Sequence, residues 1–324
     1  MTGAEMKGAK VKGAKANPGN HAPGVGGHAE GTVFDIGYQR YDGPRHGRHR
    51  ARLAVFKDGI RIALGLGRGG RAKILPWLFI ALLVGIGFIM ALVAGAALLL
   101  GGPDAVEQLP SHSDFYGICS IFFFVFAAVV APELLSPDRR DGVINLYLVR
   151  PLTGGDYIVA RWLAFLVVSL AVAWLPQFVL MIGLVMGNPD PVEYLKANWT
   201  DAPKILASGA AFAAYTTTLA MLVAGYTKRR AYASVFLVGL FVVTTPFTAG
   251  LSTEIEGAAG QWISMFNLSN IPVHVNDWIF GEVSNITSVA PARELGTWVL
   301  VGWYVLWVVI PGGVLWNRYQ RLTP

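Results

Sequence analysis

Few residues in this chain are spaced for covalent chemistry. Gly3 and Gly8 have the separation of a phosphate-binding loop, but Ala9 stands where that loop needs its lysine, and no strand pattern precedes them. The motif gives this chain no means of binding and hydrolysing ATP. No His-Glu-x-x-His pair is spelled for zinc, and no Gly-x-Ser-x-Gly elbow for a serine nucleophile. His21, His28, His46 and His49 lie in a basic N-terminal arm, while His112 and His274 lie in loops between apolar runs. The single cysteine, Cys119, sits inside an apolar run and excludes a disulfide scaffold. The expectation is a chain that is not an enzyme and binds no metal or cofactor. Three Asn-x-Ser/Thr triplets, at Asn198, Asn267 and Asn285, are short enough to recur by chance.

Polar chemistry concentrates instead between Pro132 and Trp162. There Pro132 and Glu133 are expected to end an apolar run. Ser136 should cap a short helix, with Pro137 at its first position and Asp138 in its first turn. That helix, 136–150, would carry Val143, Ile144, Leu146, Tyr147 and Leu148 beside Asp138, Arg139, Arg140 and Asp141. Arg150-Pro151 should stop it, and the chain should turn at Gly154-Gly155. An apolar knob flanked by charges suits docking to a partner protein. It equally suits an interfacial helix resting on lipid headgroups, and the residues by themselves leave both open.

Hydropathy supplies the elements that position this stretch. The chain has 324 residues, 54% of them hydrophobic and only 14% charged, too few charges to cover a water-soluble surface of that size. A spanning helix needs about 20 largely apolar residues, because hydrocarbon cannot satisfy a bare backbone. Six stretches qualify, at about 74–100, 115–135, 159–186, 205–225, 231–251 and 297–316. Within them no Asp, Glu, Lys, Arg or His lies away from the ends. A proton antiporter, cation channel or voltage sensor would place ionisable groups at membrane depth, so these classes are disfavoured. The interior polar residues are Ser169, Gln177, Thr216, Thr217, Thr218, Thr244 and Thr245. Hydrogen bonding between helices is the reading preferred for them over substrate contact.

Charge sets the orientation. Residues 1–73 hold 14 Lys/Arg against 5 Asp/Glu, a net of +9, and the remainder is net −3. With alternate connections assigned to opposite sides, 23 basic residues fall on one side and 3 on the other. The positive-inside bias then predicts that both termini are cytoplasmic, in a multi-pass protein of the cell membrane. The fold expected is an all-α membrane protein with six transmembrane helices. Residues 1–44 read as a disordered basic arm, since Gly, Ala, Lys and Pro cannot bury enough surface to order it. Residues 45–73 read as an amphipathic interfacial helix, with Leu53, Phe56, Ile60 and Leu64 on one face and Arg50, Lys57, Arg61 and Arg68 on another. Residues 74–324 form the six-helix domain.

The string Pro132-Glu133-Leu134, then Asp138-Arg139-Arg140-Asp141-Gly142, then Leu146-Tyr147-Leu148-Val149-Arg150-Pro151-Leu152 resembles the first cytoplasmic loop of type-2 ABC exporter permeases. That family carries an acidic residue after Pro, an Asp-x-Arg-x-Gly turn, and Leu-x-x-x-Arg-Pro-Leu/Val before its third helix. Pro137 and Val143-Ile144-Asn145 depart from it, standing where Arg or Lys and a Thr-rich run are usual. The arm Asp35 to Arg45 is similar to a signature of actinobacterial members.

The resemblance implies the permease subunit of an ABC transporter. Two copies, or this chain and a homologous permease, would pair with two ATPase subunits that hold ATP and Mg. It implies that the 136–150 helix couples to the ATPase: Glu133, Asp138, Arg139, Arg140 and Asp141 by charge, Leu146, Tyr147 and Leu148 by filling its groove. Arg150, followed by Pro151, would meet an acidic residue or phosphate headgroup. It further implies half-helices in the 252–296 loop that lid an outer gate, with Trp262, Phe266, Trp278 and Phe280 as its candidates; interfacial anchoring is their alternative role. Membrane lipids are the other expected partners, and nucleic acid is not expected. A stand-alone carrier or channel would need inverted repeats or buried charges. A non-transporting scaffold remains the third reading.

Overall fold

The computed structural model describes residues 47–67, 69–101, 111–144, 152–255, 257–282 and 290–321. The 1–44 arm and the expected site residues Leu146, Tyr147, Leu148, Arg150 and Pro151 lie outside these. Every regular element among the described residues is a helix: α1 (Arg48–Ala63), α2 (Arg71–Gly101), α3 (His112–Arg140), α4 (Gly154–Gly187), α5 (Pro191–Ala197), α6 (Asp201–Tyr226), α7 (Arg230–Glu254), α8 (Ala258–Ser264), α9 (Ile271–Phe280), α10 (Ala290–Arg293) and α11 (Thr297–Gln320). Six of them, α2, α3, α4, α6, α7 and α11, are long and apolar enough to cross a membrane. All six match the runs read from hydropathy, and most continue a turn beyond them, because a helix keeps its hydrogen bonds where its side chains become charged.

Small residues bring the spans together. On α2, Gly87, Ala91 and Gly95 recur every fourth position and meet Pro176, Gly183 and Gly187 of α4. A Cβ at Gly183 would stand 2.3 Å from the Ala91 Cβ, and one at Gly87 would stand 2.5 Å from the Pro176 carbonyl oxygen. The central helix α6 is built largely of Ala, Gly, Ser and Thr, so α3, α4, α9 and α11 all pack against it. Around it, Tyr116 stacks on Phe212 at 5.3 Å and Phe124 on Phe241 at 4.2 Å. Spans α2, α7 and α11 turn apolar side chains outward, among them Phe88, Leu92, Phe236, Phe247, Leu306 and Ile310. That surface has no use in water and suits lipid.

Two local expectations are corrected. No helix begins at Ser136: α3 runs unbroken through Pro132, Ser136 and Pro137 to Arg140. Each proline removes a backbone bond at a cost of about 3 kcal/mol. Burial of Pro132, Leu134, Leu135 and Ser136 offsets that loss and holds the helix together. It ends where the Asp141 N–H reaches the Pro137 carbonyl and Gly142 takes a φ of 69°. Second, Gly154 and Gly155 make no turn; they open α4 behind the N-cap Thr153. Glycine is required at 154 because a Cβ would stand 2.0 Å from the Tyr319 carbonyl oxygen of α11. Helix α1 buries Val55, Gly59 and Ala63, while Phe56, Ile60 and Leu64 of its apolar stripe are half-buried and Leu53 is exposed. It packs on α4, where a Cβ at Gly59 would stand 2.6 Å from the Ala164 Cβ, so its small face turns inward.

The close approach of α2 and α4 yields a test. Gly183→Val should lower the thermal midpoint in detergent, because overpacking costs about 1–3 kcal/mol. Gly85→Ala, with nothing within 4 Å of its Cβ position, should leave that midpoint unchanged.

Candidate functional site

The described charged residues of the 132–162 segment gather at one end of the bundle. Thr153 caps α4: its hydroxyl accepts from the Asp156 N–H at 3.2 Å, and its own N–H donates to the Asp156 carboxylate at 3.1 Å. The same carboxylate takes Arg48 at 2.6 Å and Arg52 at 2.5 Å, both from α1. Its hydrogen bond raises the Arg48 guanidinium above its ordinary pKa.

Five residues further along α4, Arg161 is fully buried. Its guanidinium lies 2.9 Å from Asp58 of α1 and 2.9 Å from Asp138 of α3. Tyr157 donates its hydroxyl to Asp138 at 2.7 Å, and its ring lies below the same guanidinium, 5.6 Å from ring centre to Cζ. Tyr319 of α11 stacks on Tyr157 at 5.8 Å. One buried arginine thus joins α1, α3 and α4, and its tyrosine neighbour brings in α11.

The remaining charges tie in the other spans. Arg139 donates to the carbonyls of Gly225 and Thr227, closing the C-terminal end of α6 where unsatisfied carbonyls collect. Glu133 pairs with Arg230 of α7 at 2.9 Å. Arg140 and Asp141 pair with each other at 2.8 Å and stay exposed. Of the expected coupling residues, Glu133, Asp138 and Arg139 are therefore engaged within the chain, and Arg140 and Asp141 face outward. Asp58, Asp156, Tyr157 and Arg161 are members that sequence reasoning passed over. The signals existed: Thr153 and Asp156 spell a capping box, and Arg161 is one charge in an apolar run.

At the opposite end, the segment between α7 and α11 folds into the bundle. Helix α9 lies against α3, α6 and α11, with Ile271, Val273, His274, Asn276 and Phe280 buried. Asn276 donates to the Ser113 carbonyl at 3.1 Å and also bonds Ser208 of α6. Tyr215 donates to the Leu268 carbonyl at 2.9 Å, and Trp303 to that of Met265 at 2.9 Å. The four gate candidates do not form one cluster. Trp262 and Phe266 pack edge-on against Trp303, Trp278 meets Trp298, and Phe280 is buried near Lys204.

The polar residues of the span interiors bond other helices or their own backbone. Gln177 and His112 bond reciprocally, at 2.7 and 2.9 Å. Thr217 meets Ser169, Trp162 donates to Thr218, and Thr245 reaches Asn267 and Ser269. Thr216 and Thr244 bond carbonyls of their own helices. The bonds that Gln177, Ser169, Thr217, Thr218 and Thr245 make beyond their own helices are of the kind expected from the sequence, whereas those of Thr216 and Thr244 stay within one helix. Among the described residues no three His, Cys, Asp or Glu side chains gather as a metal site. No family model matches this chain, and no curated protein matches it. Fold and site together define an all-helical protein with six helices suited to crossing a membrane.

Two measurements follow. Arg161→Met should cost about 3–5 kcal/mol, because it strands Asp138 against a buried site. The double variant Arg161→Met with Asp138→Leu should recover part of the fall in thermal midpoint. In the α9 segment, His274 is buried with both ring nitrogens unpartnered; burial first, then Arg293, lowers its pKa from 6.5 to about 4. A depressed histidine contributes stability that is complete above pH 6.5 and lost as pH falls toward 4. The loss is on the order of 3 kcal/mol at its limit. His274→Leu should flatten the change in thermal midpoint between pH 7.5 and 4.5.

Proposed function

We propose that this chain is the permease subunit of an ATP-driven ABC transporter, an exporter of the cell membrane with both termini in the cytoplasm. The observation that carries the reading is the way Asp138, near the end of α3, is held by the start of α4. Helix α3 continues past its prolines to Arg140, and Asp138 is held by Tyr157 and Arg161 of α4. A force applied to the 141–153 connection would therefore move α3 and α4 together. An ATPase docked on that connection could shift the bundle between inward- and outward-open states.

Two further features support the proposal. Ionisable groups are missing from the middle of every span, so a driving force supplied by ion binding at membrane depth has no residues to use. The loop sequence itself resembles that of type-2 ABC exporter permeases, from which the direction of transport is taken. In this reading two copies, or one copy and a homologous permease, sit on two ATPase subunits that carry ATP and Mg. Arg140 and Asp141 supply exposed charge to the docking face, and Leu146, Tyr147 and Leu148 supply its apolar knob. Helices α8 and α9 close the outer side, with Trp262, Phe266 and Trp278 at the rim. The 45–73 segment lies on the inner leaflet.

Leu146→Asp with Tyr147→Asp is the direct test. The pair should abolish co-purification of the ATPase and substrate-stimulated ATP turnover while the protein still inserts as a six-span chain. Unchanged co-purification and turnover would overturn the proposal.

A further inference from the structure

A cleft of about 560 Å³ opens between α1, α4 and α11. Leu53 and Phe56 form one wall, Val159 and Leu163 the other, and Trp316 closes the side. His49 and Arg52 stand at its mouth. A second cleft, of about 150 Å³, shares Val159 and Trp316 and extends along α11 to Val308. Eight residues of helix separate Trp316 from Val308, about 12 Å at 1.5 Å per residue. The apolar track thus runs from the charged end of the bundle toward its middle.

We propose that this cleft binds an anionic phospholipid, its phosphate at Arg52 and His49 and one acyl chain along Val159, Leu163 and Trp316. Charge complementarity selects that ligand. Arg48 and Arg52 share one carboxylate, Asp156, and are each about half exposed, so two guanidiniums face one acid. The mouth therefore keeps a net positive charge, and part of each arginine fork faces outward to a phosphate. Shape selects it too. An acidic peptide would satisfy the mouth but has no use for an apolar track running toward the bilayer centre. A phospholipid supplies both parts on one molecule, and Trp316 lies where aromatic rings mark a membrane interface. A lipid seated there would bridge α1 to α4 and α11. The inference rests on the six-span reading and is independent of any ATPase.

The test uses the full-length protein, delipidated in neutral detergent and titrated with phosphatidylglycerol or with phosphatidylcholine of identical acyl chains. Glycerol phosphate serves as the free-anion arm. Phosphatidylglycerol should raise the thermal midpoint and stay bound in native mass spectrometry; the other two should do neither. His49→Glu adds a negative charge at the mouth without touching the Asp156 clamp. It should weaken phosphatidylglycerol binding about fivefold or more. Leu163→Trp fills an exposed part of the cleft and should abolish binding while the lipid-free midpoint stays near that of the unaltered protein.

Equal stabilisation by phosphatidylcholine, equal stabilisation by glycerol phosphate, or unaltered binding in both variants would overturn the assignment. Photocrosslinking of the unaltered protein by phosphatidylglycerol with a diazirine on its acyl chain is a second readout that needs no variant. Labels should map to Leu53, Phe56 or Leu163, and labelling confined to other faces would also overturn it.

Discussion

Arg161 is a guanidinium with no exposed surface, and a cation taken out of water is tolerated only when its charge is matched nearby. Asp58 and Asp138 supply that match from two other helices, so the position of this side chain fixes where α1 and α3 can lie against α4. The consequences spread by contact. Asp138 is also bonded by Tyr157, Tyr157 carries Tyr319, and Tyr319 anchors the end of the last span over Gly154. Moving any one of these elements would strand a charge or open a void. The charged end of the bundle is therefore a single mechanical unit.

The other end is organised by a weaker rule. Buried polar groups there are satisfied by neutral hydrogen bonds to backbone and to short side chains, as with Asn276 on Ser113 and Tyr215 on Leu268. Neutral bonds of this kind contribute roughly 1 kcal/mol each, less than a buried ion pair loses on breaking. His274 adds a buried ring without partners to that layer. The bundle thus joins one end locked by a buried arginine to another held by neutral bonds, aromatic edges and the Arg293–Asp277 pair. In the proposed permease reading, the first end would transmit force and the second would open.

Between these ends the spans contain small residues and hydroxyls but no charge. The close contact of Gly87, Ala91 and Gly95 with α4 depends on dispersion at short range, which operates in lipid where the hydrophobic effect between helices does not. The hydroxyls on α4, α6 and α7 mostly bond a neighbouring helix or their own backbone, so they stabilise packing.

The sequence by itself determined the class of the molecule. Length and apolarity of six runs sufficed for the spans, because the bilayer demands about 20 residues each whatever their order. It also drew attention to residues 132–162, where eight charged residues fall between two apolar runs. Tertiary structure decided how that charge is used. Helix signals at Ser136-Pro137 are local, and they lost to burial of Leu134 and Leu135, which depends on neighbours distant in the chain. Likewise Leu53, Phe56 and Ile60 drew an apolar stripe on α1, yet Gly59 faces inward because Ala164 leaves room for nothing larger. Asp138 and Arg139 read as free docking charges until Arg161 and the end of α6 were folded against them. Composition and spacing count residues along the chain, whereas an ion pair is decided across helices, and only the folded bundle brings Asp58, Asp138 and Arg161 to one point.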